Sequence, residues 1–377
     1  MRYAFTTTVL SALGAIMIVG AAHAADPIRI GMIAPITGGA AESGRNQING
    51  AQMAADEVNA AGGVLGRKIE LVIEDDQTTN PGAVLAFSKL TSDANNVAFI
   101  APVRSTQVHA IAPDVLRNGK PVLFGGTDPR LTQLNNPWFF RFRPNDAIST
   151  KAMAEFGIKD LGKKKWAIIH TTDAFGASNV KLLTEALKEQ GITPTLVQGF
   201  TSNSQDFTPI VLAVKQSGAD IVASFTVQDT DQGVLAKQFR QFGVDAAWIG
   251  SPTIVATTTL KLAGPALYGT YALADYNPDS SPEATTFSEN YRKRFNVQAD
   301  FFSAWTYDAV KVAAVAIKNA GSTEPKALRE ALLAIKDVPG AEGPYSFNAN
   351  GDGLHGYNVV RNQDGAIVFV KRVETVR

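Results

Sequence analysis

The stretch from Ile28 to Asp76 constrains this chain most. An apolar strand, IRIGMIAPITG, leads into a polar Gly-rich run, AAESGRNQING. A helical pattern follows, AQMAADEVNAA, stopped at Gly62-Gly63, and then a second strand, KIELVIEDD. Ile28, Ile30, Met32 and Ile33 make a near-continuous apolar strand, as a sheet covered on both faces requires. Ala51, Met53, Ala54, Ala55 and Val58 recur at helical spacing. Gly62 suits the left-handed conformation that ends a helix. The spacing therefore predicts a βαβ unit with a loop over 40–50. In open α/β sheets, the crevice at the carboxyl ends of the strands is where ligands bind.

The same alternation continues. VAFIAP, PVLFGG, KWAIIHTT, TPTLVQGF, ADIVASFT and AAWIGSP read as strands, with helical patterns between them. In PGAVLAFSKLTSD, Asn80 is the expected cap and Pro81 the first helical residue. VKLLTEALKEQG and FTPIVLAVKQSG both end in Gly, as helices often do. The fold class is α/β with mainly parallel sheets. One βα series ends near residues 139–146, and a second runs from Ser149 to about Ala272. DYNPDSSPE then interrupts the pattern. Two helical patterns follow, over 301–321 and 325–335, before a strand-like tail with Asn-Gly and Asp-Gly turns. Pattern alone suggests two successive domains in 377 residues.

The amino terminus reads as an address. Arg2 gives a positive n-region, Val9 to Val19 is an apolar run too short to span a bilayer, and Ala22-His23-Ala24 is an A-x-A cleavage site. Residues 1–24 are expected to be a cleavable signal peptide that directs the chain to the periplasm. The chain has no cysteine, so it can form neither a disulfide nor a lipidated Cys at the cleavage site. Formal charge is balanced, and no basic run is longer than Lys163-Lys164-Lys165. That pattern gives no nucleic-acid surface.

Motifs for enzymes are weak. Gly351, Gly353 and Gly356 satisfy G-x-G-x-x-G, but a turn-rich segment precedes them and strand-like YNVV follows, the wrong context for a dinucleotide. Gly157, Gly162 and Lys163 approach a phosphate loop, but Lys164 stands where Ser or Thr is needed. His109, His170 and His355 are far apart, and no nucleophile or metal motif occurs. Asp75-Asp76 reads as a loop and helix-capping pair. No catalytic residue, metal or cofactor is expected.

The constellation that could bind a solute follows the first-series strands. Val103, Arg104 and Ser105 come after VAFIA, and Gly125, Gly126 and Thr127 after PVLF. Helix amino termini offer unpaired N–H groups and partial positive charge, and the hydroxyls add adjustable donors. Together they suit a ligand carboxylate. Plain N-capping by Ser105 and Thr127 is the competing reading.

IGMIAPITG, NGAQMAADEVNAAGGVLGRKIELVIEDD, PVRSTQVHAIAP and GGTDPRLTQ resemble the branched-chain amino acid type of periplasmic binding proteins, the solute receptors of ABC importers. The resemblance covers essentially the whole mature chain. It implies a type I periplasmic binding fold: two doubly wound parallel-sheet lobes joined by a three-segment hinge. The crossings would fall near 142–147, 272–277 and 351–356. Lobe 1 is then 25–145 plus 275–353, and lobe 2 is 146–274 plus 354–377. By this resemblance Ser105, Gly125 and Thr127 align with carboxylate-binding positions. Ser43, where relatives often place an aromatic, Phe175, Gln228 and Asp229 would also contribute. The partners implied are a small amino acid or organic carboxylate and an inner-membrane ABC permease, with the protein a monomer. A ligand sensor would share the whole fold, and an extracytoplasmic enzyme is the more distant alternative.

One departure bears on the ligand. Amino-acid-binding relatives usually carry an acid after the strand that is AAWIG here, to pair with the ligand ammonium. This chain has Ser251-Pro252-Thr253. Unless Asp173 or Asp229 substitutes, an organic carboxylate without an ammonium is favoured, with Arg104 adding attraction.

Overall fold

The computed structural model describes Met1 and residues 26–374. The expected signal peptide and its cleavage site lie outside the described residues, as do the last three residues of the tail.

Two sheets carry the molecule. The first holds β1 (Ile28–Ala34), β2 (Ile69–Asp75), β3 (Asn96–Ile100), β4 (Val122–Phe124) and β5 (Phe139–Arg141), all parallel, in the order β2-β1-β3-β4-β5. The helices linking them are α1 (Ala41–Ala60), α2 (Asn80–Ser92) and α3 (Ser105–Asn118). The second sheet begins after α4 (Asp146–Glu155). It holds β6 (Trp166–Thr171), β7 (Leu196–Phe200), β8 (Ile221–Phe225), β9 (Ala247–Gly250) and β10 (Tyr271–Ala274). Their helices are α5 (Ala174–Glu189), α6 (Thr208–Gln216), α7 (Asp229–Gln241) and α8 (Thr257–Ala263). The chain then leaves this sheet for α9 (Pro282–Phe295), α10 (Phe301–Ala320) and α11 (Pro325–Leu333). It returns as β11 (Gly356–Gln363) and β12 (Ala366–Glu374), which close the order β12-β11-β10-β9-β8-β6-β7. β11 runs antiparallel to both β10 and β12, so this sheet is mixed at one edge.

The central strands of each sheet are covered on both faces, which is why β1, β3, β6 and β8 are largely apolar and buried, while the edge strands β2, β7 and β12 carry polar, partly exposed positions. Ile30, Met32 and Ile100 pack under α1 and α10 with Val310, Ala313 and Ile317. On the opposite face Ile33, Phe99 and Phe124 meet Phe87 of α2 and Val108 and Ile111 of α3. In the second layer Ile168 and Ile249 pack against Leu183 and Leu187 of α5. Ile169 and Val222 face Leu235 and Phe239 of α7.

Two local expectations are corrected. The run 40–50 is not a loop: α1 begins at Ala41 and includes it. Its glycines are there for approach. A Cβ at Gly44 would lie 1.9 Å from the Pro35 carbonyl oxygen, and one at Gly50 would lie 2.0 Å from that of Ser303. α1 therefore packs against α10 backbone to backbone, which only Gly permits. The cap of α2 is Thr79, not Asn80; its hydroxyl accepts from the Gly82 N–H at 2.9 Å.

Candidate functional site

The carboxyl ends of both sheets face one cleft. From the first sheet come Val103, Arg104 and Ser105 after β3 and Thr127 after β4. From the second come Phe175 in the first turn of α5, Thr226 and Val227 after β8, and Pro252 and Thr253 after β9. Arg143 joins them from the segment between β5 and α4, and Phe301 and Phe302 from the start of α10. These residues line a chamber of about 40 Å³. A smaller chamber of about 10 Å³ shares Thr127, Arg143, Phe175 and Pro252 with it and adds Asp146, Ser149, Asn179, Ser251 and Tyr357. Both volumes are far below the roughly 300 Å³ of even a small ligand site. A wider groove of about 650 Å³ lies around Arg29, Asn96 and Lys120, at the opposite ends of the first-sheet strands.

The lobes are latched over these chambers. The Ser43 hydroxyl donates to the Asp229 carboxyl at 2.5 Å, both side chains buried. Arg104 donates across the cleft to Gln228 Oε1 at 3.1 Å and the Val227 carbonyl at 3.5 Å. Thr257 of α8 donates to Asp300, the cap of α10, at 2.8 Å, and Asn46 donates to the same carboxylate oxygen at 2.9 Å. Burial pushes the Asp229 carboxyl up to about 7, against the Ser43 hydrogen bond and the attraction of Arg104.

The competing capping reading does not describe the hydroxyls. Ser105 is the first residue of α3 and its Oγ accepts from the Asp128 N–H at 3.2 Å. Asp128, not Thr127, caps the short turn that follows, accepting from the Arg130 N–H at 3.0 Å. Burial would raise the Asp128 carboxyl, but His109 and Arg130 hold it well below the usual range. Asp173 is spent capping α5, accepting from the Gly176 N–H at 2.8 Å.

Of the residues expected at the site, Val103, Arg104, Ser105, Thr127 and Phe175 line the main chamber together. Gly125 lies behind it, its carbonyl accepting from Arg143 Nη1 at 3.2 Å. Ser43, Gln228 and Asp229 form the latch rather than the lining. Sequence reasoning missed Arg143, Thr226, Phe301 and Phe302. The aromatic-rich start of α10 was visible, but nothing in its pattern aimed it at the cleft.

The lining sorts by charge. The main chamber has two guanidinium groups, Arg104 and Arg143, and no carboxyl group. The smaller one has a single carboxyl group, Asp146, which burial pushes up to about 7 against a hydrogen bond from Thr127. Its Oδ2 is buried without a partner. Elsewhere, His109 pairs with Asp128 at 2.9 Å and His170 Nδ1 lies 2.9 Å from the Thr171 carbonyl. No group of three or more metal-ligating side chains occurs among the described residues. Asp75 ties the β1–α1 loop to the turn after β2, accepting from the Ile36, Thr37 and Gln77 amides. No helix among them is long and apolar enough to cross a membrane.

A family model described as periplasmic binding protein matches residues 27–366. The chain is 28% identical, over 90% of its length and 93% of the other, to a Leu/Ile/Val-binding protein homolog of Brucella melitensis. Its fold is similar to that of a leucine-binding protein from Thermotoga maritima, with TM-score 0.84 and 26% identity over 92% of this chain and 99% of that one. It is also similar to an ABC-transporter solute-binding protein from R. palustris in complex with benzoate, with TM-score 0.84 and 19% identity over 92% and 96%.

Proposed function

Since the chain belongs to the periplasmic binding protein family, we propose that it captures a small carboxylate-bearing solute between its lobes and delivers it to an ABC permease. One observation carries the ligand class. The chamber between the sheets is lined by Arg104, Arg143, the Ser105 and Thr127 hydroxyls and three phenylalanines, with no carboxyl group among them. Such a lining attracts an anion and gives an apolar body aromatic walls. The chambers are too small to admit a ligand as they stand, so entry requires the lobes to part. Lobe 1 is 25–145 plus 275–353 and lobe 2 is 146–274 plus 354–377, with the crossings as hinge. Ligand contacts to both lobes then favour the closed form. The mature protein acts in the periplasm as a monomer after loss of residues 1–24.

A second reading, a zwitterionic amino acid, is favoured by Asp146. Asp146 lines the chamber that shares Thr127 and Arg143, and its buried Oδ2 has no hydrogen-bond partner, so a local shift would let it receive an ammonium. Similar proteins are named for both classes: the Brucella relative as a Leu/Ile/Val-binding protein homolog, and the R. palustris protein in complex with benzoate.

Titration calorimetry with matched ligands separates them: 4-methylpentanoate against leucine, and benzoate and 3-phenylpropanoate against phenylalanine. Binding of the plain acids with weaker or no binding of the amino acids supports the first reading. Binding of the amino acids alone overturns it, and Asp146→Asn should then abolish that binding.

A further inference from the structure

Arg143 is the one charged side chain shared by both chambers and the hinge. It lies in the segment between β5 and α4, and its side chain is 7% exposed. Its Nε donates to the carboxylate of Asp275, the residue that follows β10. Its Nη1 donates to the Gly125 carbonyl, two residues from Thr127. The guanidinium lies over the Phe301 ring, 4.6 Å from its centroid, and Phe301 lines the same chamber. These three contacts fix the plane of the fork. Only Nε and Nη1 donate to protein acceptors among the described residues, which leaves Nη2 for the chamber.

We propose that Arg143 is the specificity-determining residue of the cleft, donating through Nη2 to an oxygen of an anionic ligand while its Nε–Asp275 pair anchors that ligand on the hinge. The inference rests on the carboxylate reading above and deepens it. A ligand oxygen held by Arg143 is attached to the first crossing segment directly and to the second through Asp275, rather than to either sheet alone.

The surroundings favour an anion over a neutral acceptor. Burial works against the charged guanidinium, but Asp275 outweighs it and keeps Arg143 ionised. Glu342 is buried nearby with both oxygens unpartnered, and burial raises it well above the usual carboxyl range. Asp275 is the acid in direct contact with Arg143, and a second guanidinium, Arg104, lines the same chamber. A guanidinium whose plane is fixed by stacking and two hydrogen bonds makes a strong, directed bond to a carboxylate.

The test is a selectivity ratio. Affinities for benzoate and benzamide, and for 4-methylpentanoate and 4-methylpentanamide, are measured by calorimetry on the mature full-length protein. In the unmutated protein the acids should bind well above the amides. Arg143→Met should cut that preference roughly tenfold or more, the scale of a lost charge-assisted hydrogen bond. Arg143→Lys, which keeps the charge, should restore part of it. The double variant Arg143→Met with Asp275→Asn removes the pair without stranding a buried charge, and stands in if the single variant does not fold. A merely structural arginine would weaken acid and amide alike. An unchanged acid-to-amide ratio in the folded Met variants overturns the inference while leaving the carboxylate reading intact. Binding of neither acid by the unmutated protein overturns both.

Discussion

Thr127 and Ser105 show how little side chain the site needs for an anion. Both are small and uncharged, both sit at strand carboxyl ends, and both line the main chamber. Removing the Thr127 hydroxyl deletes a donor that also serves the buried Asp146 carboxyl, while Val keeps its shape. Thr127→Val is expected to weaken carboxylate binding by about 1.5–3 kcal/mol, the range for a hydrogen bond to a charged group. Ser105→Ala should cost a similar amount plus any shift of Asp128, whose amide its hydroxyl receives. Calorimetry showing wild-type affinity in both folded variants would remove these residues from the site. Their positions were legible in the sequence because each lies within a few residues of the end of an apolar strand. Arg143 was not, because a crossing segment has no periodicity to reveal which way its side chain turns. Asp173 and Asp229, the acids that might have received an ammonium, are held by the α5 amides and by Ser43, contacts no spacing discloses.

At the scale of elements, the strands and most helices were readable because burial on both sheet faces writes apolar runs. α1 was read short because its first half carries two glycines and many polar residues. Those features, which in isolation mark a loop, serve close packing here. Gly50 sits where α1 meets α10, and an added Cβ would lie 2.0 Å from the Ser303 carbonyl oxygen and 2.8 Å from the Thr306 hydroxyl. The neighbour is backbone and cannot swing aside. Gly50→Ala should therefore destabilise the protein by about 3 kcal/mol, the upper end for overpacking, despite the better helix propensity of Ala. A denaturant midpoint equal to that of the wild type would contradict this account of the α1–α10 seam. The strand pairing at the far edge of the second sheet could not be read from local pattern, because β11 reaches β10 only after an excursion of three helices.

For the whole molecule, the latch between the lobes links closure to protons. Asp229 at the start of α7 meets Ser43 of α1 across the cleft. Arg104 of α3, Asp300 at the cap of α10 and Asp231 on its own helix are the charged groups nearby, with the Glu42–Lys261 pair bridging α1 and α8 at 4.0 Å. In the closed form burial holds the Asp229 carboxyl at about 7. Exposed to water when the lobes part, it should return to about 3.9. Between those values the closed form binds the extra proton, so closure is fully supported near the lower value and loses that support as pH rises through about 7. Affinity for a carboxylate that stays ionised throughout should accordingly fall from about pH 5.5 to about pH 8. Asp229→Asn should flatten part of that slope; Asp146 and Asp231, raised to about 7 and about 6, supply the rest. Small-angle scattering reads the same equilibrium directly: the radius of gyration should shrink on saturation with the ligand, and the ligand-free protein should be more open at the higher pH. A radius that does not change on saturation would end the closure mechanism. A radius that shrinks with the same pH slope in Asp229→Asn as in the wild type would keep closure and remove Asp229 as its proton link.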